Sequence, residues 1–226
     1  LLVPLVLVRQ IHIWAAAVVW IGGWKLAEQR RGGPVARSSV AAVAPWLVAT
    51  LPAFGVLFAF MRYWGGLTPP RFQSEVEAIS PATPAFILLQ IAILSVGFLP
   101  WIAPLIAERW RANRAIMLGA AGSALVVSVI PKTTASFAEG RFSGWWVLAE
   151  KGPVVAGHTS IAVVVGACAG AVVLAALLLS LRTRDRVVIG GALLAFTAAL
   201  TSNFYCWQRY HEPLLLFTIP ACCAMC

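Results

Sequence analysis

The chain has 226 residues, of which 61% are hydrophobic and 11% are charged; its 17 lysines and arginines outnumber its 8 acidic residues, giving a net charge of +9. Soluble domains carry about a quarter of charged residues, so this composition excludes an ordinary water-soluble protein. Cations that flank membrane spans beside anionic lipid explain the positive charge, and we therefore expect no nucleic-acid partner.

Continuous apolar stretches follow one another along the chain, and most of them are long enough for a helix to cross roughly 30 Å of hydrocarbon. Because these stretches are continuous rather than alternating, they favour helices over a membrane barrel. We predict an all-α, polytopic transmembrane helix bundle of about seven spans, formed by one domain over residues 1–226 and surrounded by membrane lipids. The predicted spans are 10–24, 41–61, 85–107, 115–131, 161–181, 187–203 and 214 to the end.

Lysine and arginine alternate between basic and nearly neutral loops. The loops 25–40, 108–114 and 182–186 hold ten of the 17 basic residues. Short basic loops stay in the cytoplasm, so we place these three there and assign the protein to the bacterial inner (plasma) membrane. The remaining loops, which carry most of the polar and aromatic residues, are then periplasmic, and we expect any ligand site on that face. They are loops 62–84, 132–160 and 204–213.

The fourth loop, 132–160, is the longest polar interruption and contains an aromatic cluster. The spacing of this cluster is typical of a short amphipathic helix that lies in the membrane interface. Gly152 and Pro153 are expected to end that helix. The residues on which this prediction rests are Phe142, Trp145, Trp146 and Leu148.

The same loop also supplies cations close to the start of a predicted span. Thr159 or Ser160 is suited to cap that span, and a helix N-terminus attracts anions. One interpretation is a cradle for a phosphate or pyrophosphate headgroup. The alternative is an interfacial belt of tryptophans with lysines facing lipid. The cations are Lys132, Arg141 and Lys151, and His158 lies just before the predicted span.

A second dense patch of polar and aromatic residues, 202–213, lies before the last apolar stretch. Arg209 and Glu212 are three residues apart, a spacing at which they can pair on a helix. Gln208, Tyr210 and His211 add donors and acceptors for a hydroxyl-rich ligand. The alternative is a tight external turn whose ion pair contributes at most about 1 kcal/mol.

The GRFSGWW segment of the fourth loop and the WQRYHEP segment before the last span together resemble the C-terminal half of large bacterial membrane proteins of the GT-C type. The resemblance implies a polytopic glycosyltransferase that takes a sugar from a polyprenyl-phosphate donor on the periplasmic side. It also implies that Glu212 orients Arg209. The residues that would grip the donor phosphate are Lys132, Arg141, His158, Arg209 and His211.

GT-C enzymes carry a catalytic acid, usually aspartate, in the first external loop. Asp185 is the only aspartate here, and it lies between two arginines in a loop that we place in the cytoplasm. We expect the base upstream of Leu1, because a chain without an initial methionine that ends in an apolar run looks like a fragment lacking N-terminal and C-terminal parts. The external Glu75 and Glu77 are an alternative, although their neighbours suggest an ordinary solvated loop.

Two other classes of protein stay open. A transporter or flippase binds its substrate between interrupted helices, and two predicted spans contain such interruptions, Pro52 with Gly55 and Pro100 with Pro104. Ionisable residues are scarce within the spans, which argues against ion coupling. A non-catalytic scaffold subunit is the third class. Nucleotide-binding, metalloprotease and hydrolase motifs are missing, and we expect neither a metal nor a cofactor.

Overall fold

A computed structural model of the chain describes residues 2–8, 10–31, 40–66, 79–142, 144–203 and 206–226. These residues are almost entirely helical, which confirms the all-α fold class. The helices in chain order are α1 (Leu2–Val8), α2 (Ala15–Arg31), α3 (Val40–Trp64), α4 (Thr83–Ser95), α5 (Leu99–Ala112), α6 (Arg114–Val129), α7 (Trp145–Glu150), α8 (Ile161–Ser180), α9 (Thr183–Thr201) and α10 (Gln208–Met225), with 3₁₀ turns at Gln10–Trp14 and Val96–Phe98.

Three segments of the described chain are long and apolar enough to cross a membrane, namely Val43–Trp64, Thr83–Ala112 and Ile161–Ser180. The other stretches predicted as spans form helices of less suitable length or composition. Helix α6 has only 16 residues, and α9 has Asp185 in its first turn. Length and composition therefore support a membrane protein with three candidate spans among the described residues, where the sequence predicts about seven.

The short helix predicted in the fourth loop forms as α7. It begins after Gly144 and ends before a turn at Gly152. The next helix, α8, begins after Ser160, but the expected side-chain cap is not made. The Ser160 hydroxyl instead donates to the carbonyl oxygen of Ala149 at 3.1 Å, which ties the start of α8 to α7. A hairpin of two short strands, β1 (Val154–Val155) and β2 (Thr159–Ser160), joins the two helices, and the strands pair antiparallel.

The chain divides into two compact units. The first consists of Leu1–Ala78 with Thr183–Asn203. In it α2 packs against α3, where the Trp20 indole donates to Thr50 Oγ1 at 3.0 Å and stacks on Phe54. Helix α9 packs against α2 and against the 3₁₀ turn before it.

The second unit consists of Ile79–Arg182 with Phe204–Cys226, and helix α8 lies at its centre. Helix α8 packs closely against α4 because Gly170 brings its backbone against the α4 backbone. A Cβ added to Gly170 would overlap the carbonyl oxygen of Leu88 and lie 3.2 Å from the amide nitrogen of Ala92. Small residues at such a crossing let two apolar helices approach closely.

The core of this unit continues into the fourth loop. Phe86 of α4 stacks on Trp146 of α7, with ring centroids 4.2 Å apart and planes 6° from parallel. Both side chains are fully buried, and Val163, Ala167 and Cys206 belong to the same cluster. The loop is therefore built on α4 and α8, and it presents a fixed surface to the start of α10.

Candidate functional site

A shallow, open pocket of about 450 Å³ lies in the second unit, where the fourth loop meets the start of α10. Aromatic rings and polar side chains line it, a mixture that suits a polar ligand with apolar faces. We refer to it as the Trp207 pocket. Its lining residues are Phe142, Gly144, Trp207, Gln208, Arg209 and Glu212. The pocket thus brings together three of the predicted site residues, Gln208, Arg209 and Glu212.

Gln208 fastens the two sides of the pocket to each other. Its Oε1 accepts a hydrogen bond from the backbone N–H of Trp145 at 2.9 Å, which satisfies a free amide at the start of α7. Its Nε2 donates to Glu212 Oε1. Residues four apart share one face of a helix, so Gln208 and Glu212 project to the same side of α10.

Gly144 is required by the same contact. Its φ of +58° lies in a region that side-chain-bearing residues rarely adopt. A Cβ at this position would overlap Gln208 Oε1 and lie 2.9 Å from Gln208 Cδ. Gly144, the second glycine of GRFSGWW, therefore lets the loop approach α10 closely enough to form the pocket wall.

Arg209 is held by aromatic rings instead of by Glu212, which differs from the pairing expected from their spacing. Its guanidinium carbon lies 4.1 Å from the Trp207 ring centroid and 5.5 Å from that of Tyr210. Cations are attracted to ring faces at these distances. Within the described part of the chain, Arg209 forms no ion pair, and its exposed side chain keeps its charge available to a ligand.

Lys132 and Arg141 lie outside the lining of the pocket and share Glu139 as their acidic partner. Arg141 is only 3% exposed, donates from Nε to the Thr134 carbonyl at 2.8 Å and from Nη1 to Glu139 at 2.7 Å. Lys132 approaches Glu139 at 3.5 Å and is 65% exposed. The hydrogen bond from Arg141 lowers the pKa of Glu139, and the charges of both cations act in the same direction. Arg141 thus braces the loop from inside.

At the start of α8, where a phosphate cradle was predicted, His158 and two backbone amides bond to other parts of the protein. The His158 ring nitrogen Nδ1 lies 2.9 Å from the Ala156 carbonyl oxygen, within the turn of the hairpin. The first amides of this helix region already have protein acceptors, because Ser160 N–H donates to Thr133 Oγ1 at 3.1 Å and Ile161 N–H donates to the Pro153 carbonyl at 3.0 Å. These two amides are engaged by the protein itself.

His211 is fully buried in the first turn of α10, outside the three candidate spans. Gln90 Nε2 donates to its Nδ1 at 2.7 Å, and Phe86 meets the ring edge-on. Burial lowers the pKa of His211 to about 3, so the imidazole is neutral near pH 7. It is not among the residues that line the pocket. Its neutral ring anchors α10 to α4.

The contacts that join α7 to the segment before α10 were not predicted from the sequence. The Trp146 indole donates to the Cys206 carbonyl at 2.8 Å and links α7 to the segment before α10. Phe142 then meets Trp207 edge-on at 5.6 Å. The tryptophan pair of GRFSGWW was the available signal, since a buried tryptophan usually finds a hydrogen-bond acceptor.

Cys206 is fully buried in the core cluster that contains Trp146, and this burial raises the pKa of its thiol to about 12. A thiol reacts as the thiolate, so we expect N-ethylmaleimide to leave Cys206 unmodified in the folded protein and to modify it after unfolding in SDS. Peptide mapping by mass spectrometry measures the result, with the exposed Cys226 as internal control. Equal modification of Cys206 before and after unfolding would show that this side chain is not buried in the folded protein.

The chain matches no protein-family model, no curated protein and no solved structure. The case for a function therefore rests on the pocket and on the residues around it. Two of the carboxylates considered from the sequence, Glu75 and Glu77, lie outside the described residues.

Proposed function

We propose that the protein is a polytopic membrane glycosyltransferase that moves a sugar from a polyprenyl-phosphate donor at the periplasmic face of the bacterial inner membrane. The observation that carries this proposal is the composition of the Trp207 pocket. One cavity joins two aromatic rings, an amide, a guanidinium and a carboxylate. A donor of this class presents a ring with apolar faces, several hydroxyls and a phosphate, and each has a counterpart in the cavity.

The sugar is matched by the aromatic rings and by the Gln208–Glu212 pair. Phe142 and Trp207 meet edge-on, so their faces point in different directions around the cavity. Such surfaces pack against the C–H faces of a sugar, while amide and carboxylate groups bond its hydroxyls. A few positioned polar groups in an apolar frame are what gives a small-molecule site its orientation.

The phosphate is matched by Arg209. A guanidinium presents a planar fork of donors that fits phosphate oxygens, and it stacks on aromatic faces without losing its charge. With Trp207 and Tyr210 beneath it, Arg209 is oriented before a ligand arrives. Lys132 is the more exposed of the two fourth-loop cations and remains a candidate second contact to the phosphate.

The membrane arrangement belongs to the same proposal. Seven spans put loops 62–84, 132–160 and 204–213 in the periplasm, which brings both sides of the pocket to one face. Helix α7 then lies in the interface: Val147 is 48% and Leu148 is 57% exposed, whereas Trp146 on the opposite side is buried. Such an amphipathic helix beside a lysine suits the headgroup region, where the donor phosphate would lie.

Transfer measured on membranes of known orientation tests the proposal. A panel of polyprenyl-phosphate hexoses with a radiolabelled sugar is supplied to right-side-out and to inside-out vesicles containing the full chain. We expect label to reach membrane acceptors in right-side-out vesicles and much less in the inverted ones, where the pocket faces the lumen. Vesicles without the protein are the control. Absence of transfer in both orientations, with every donor of the panel, would contradict the proposed activity.

A transporter or flippase is the second candidate, favoured by one observation. The candidate span Thr83–Ala112 is interrupted near its middle by the 3₁₀ turn at Val96–Phe98, followed by Pro100. Interrupted helices are typical of transporter substrate sites. The same vesicles separate the two activities, because a flippase moves the labelled donor between leaflets and leaves its sugar–phosphate bond intact.

A further inference from the structure

The pocket contains a carboxylate of its own, that of Glu212. The three-residue spacing predicts an ion pair with Arg209, and the GT-C resemblance implies that Glu212 orients this arginine. The described residues show another arrangement: the rings of Trp207 and Tyr210 hold Arg209, and Gln208 holds Glu212. Arg209 and Glu212 are therefore oriented by different partners, and they form no ion pair with each other.

Glu212 is oriented through a relay that begins at the backbone. The Trp145 N–H donates to Gln208 Oε1, and Gln208 Nε2 donates to Glu212 Oε1. Since an amide has one accepting and one donating end, the backbone bond decides which end of Gln208 meets the carboxylate. The hydrogen bond that Gln208 donates stabilises the ionised carboxylate and fixes the direction in which Glu212 faces the pocket.

The hydrogen bond from Gln208 engages Oε1, so Oε2 is the oxygen that remains for a substrate. Glu212 lines the cavity, and no cation pairs with it among the residues that the structure describes. The other acids described in the loops on this side differ from it: Glu139 is held by Lys132 and Arg141, and Glu150 lies on the exposed end of α7, away from the pocket lining.

We propose that Glu212 is the catalytic base of sugar transfer in this chain. This inference rests on the proposed function. Glu212 Oε2 takes the proton of the acceptor hydroxyl as the acceptor oxygen forms a bond to the anomeric carbon of the sugar. The bond from that carbon to the phosphate oxygen breaks, and its electron pair leaves on the polyprenyl phosphate, whose added negative charge Arg209 stabilises.

The charges in this step balance without a metal or a redox partner. The carboxylate becomes a carboxylic acid, and the donor phosphodiester becomes a phosphomonoester with one more negative charge. Because the acceptor attacks in a single displacement, the configuration of the anomeric carbon inverts. The new carboxylic acid returns its proton to water before the next turnover.

Glu212→Gln tests the role, because it keeps the size of the side chain and an oxygen for Gln208 but removes the ability to take a proton. We expect transfer from a polyprenyl-phosphate hexose to fall by a factor of about 10² to 10⁴, the range typical of a lost general base. Binding of the same donor to the purified protein is expected to change less than about threefold. Glu212→Asp should retain an intermediate rate, since its carboxylate is shorter by one methylene.

Glu150→Gln is the matched control, because it makes the same chemical change on an exposed residue of the adjoining helix, and its transfer should equal that of the unmodified protein. If Glu212→Gln transfers at the full rate, or if it loses binding and transfer together, Glu212 is not the base. Either result leaves the proposed function standing, provided that the unmodified protein transfers sugar. If the unmodified protein binds and transfers no donor of the panel, it is the proposed function that fails.

Discussion

We expect the replacement of Arg209 by alanine to abolish the proposed sugar transfer while leaving membrane insertion intact. The guanidinium is the cation that lines the pocket, and it lies over the rings of Trp207 and Tyr210. A donor group that stabilises developing charge in this way contributes about 10² to 10³ to a rate. We expect Arg209→Ala to lower transfer by at least that factor, measured with the labelled polyprenyl-phosphate hexose in right-side-out vesicles.

Two further variants separate charge from geometry. Arg209→Lys keeps the charge but loses the planar fork and most of the stacking, so an intermediate rate is expected. Arg111→Ala removes an exposed arginine from the C-terminal end of α5, which the proposed topology puts on the other face of the membrane, and should transfer at the normal rate. Unaltered turnover of Arg209→Ala would remove this residue from the site.

We expect the replacement of Gly170 by valine to destabilise the second unit strongly. At this position α8 lies against the backbone of α4, and an added Cβ would overlap the Leu88 carbonyl oxygen and lie 2.7 Å from its carbonyl carbon. Backbone atoms cannot rotate away as a side chain would, so the helices must separate and lose their shared packing. Overpacking of a close contact typically costs about 1–3 kcal/mol, and we expect a loss at or above the upper end of this range.

Gly122→Val is the matched control for this change. Gly122 also lies within an apolar helix, α6, but an added Cβ there has no neighbouring atom within 4 Å. Thermal unfolding of the detergent-purified proteins, followed by size-exclusion chromatography, compares them. We expect Gly170→Val to give a lower midpoint and a smaller folded fraction, and Gly122→Val to stay close to the unmodified protein. Similar midpoints for the two variants would contradict the α4–α8 contact.

The helical fold could be predicted because long apolar stretches have few alternatives in a membrane, where every backbone polar group must be satisfied internally. Only three of the seven predicted spans are long and apolar enough among the described residues, because α6 is short and α9 and α10 begin with charged or polar residues. Hydrophobicity alone does not decide whether such a helix crosses the bilayer, since packing against neighbours also contributes.

The candidate site was only partly accessible from the sequence, and the reason is that spacing along a helix does not reveal partners from other elements. Gln208, Arg209 and Glu212 were predicted as one polar patch. Their actual partners depend on Trp145 from α7 and on the ring of Trp207 outside the helix. The inward position of Arg141 follows from the backbone pairing of Ser136 with Arg141, which no charge pattern indicates.

The most direct test of the central claim is to find where a donor sugar lies when it is bound. A polyprenyl-phosphate hexose that carries a diazirine on its sugar is photolysed with the full chain in lipid vesicles, and the modified peptides are identified by mass spectrometry. We expect saturable labelling at Phe142 and between Trp207 and Glu212, reduced by unlabelled donor. Labelling concentrated around the 3₁₀ turn at Val96–Phe98, with the pocket unmodified, would contradict it and favour transport.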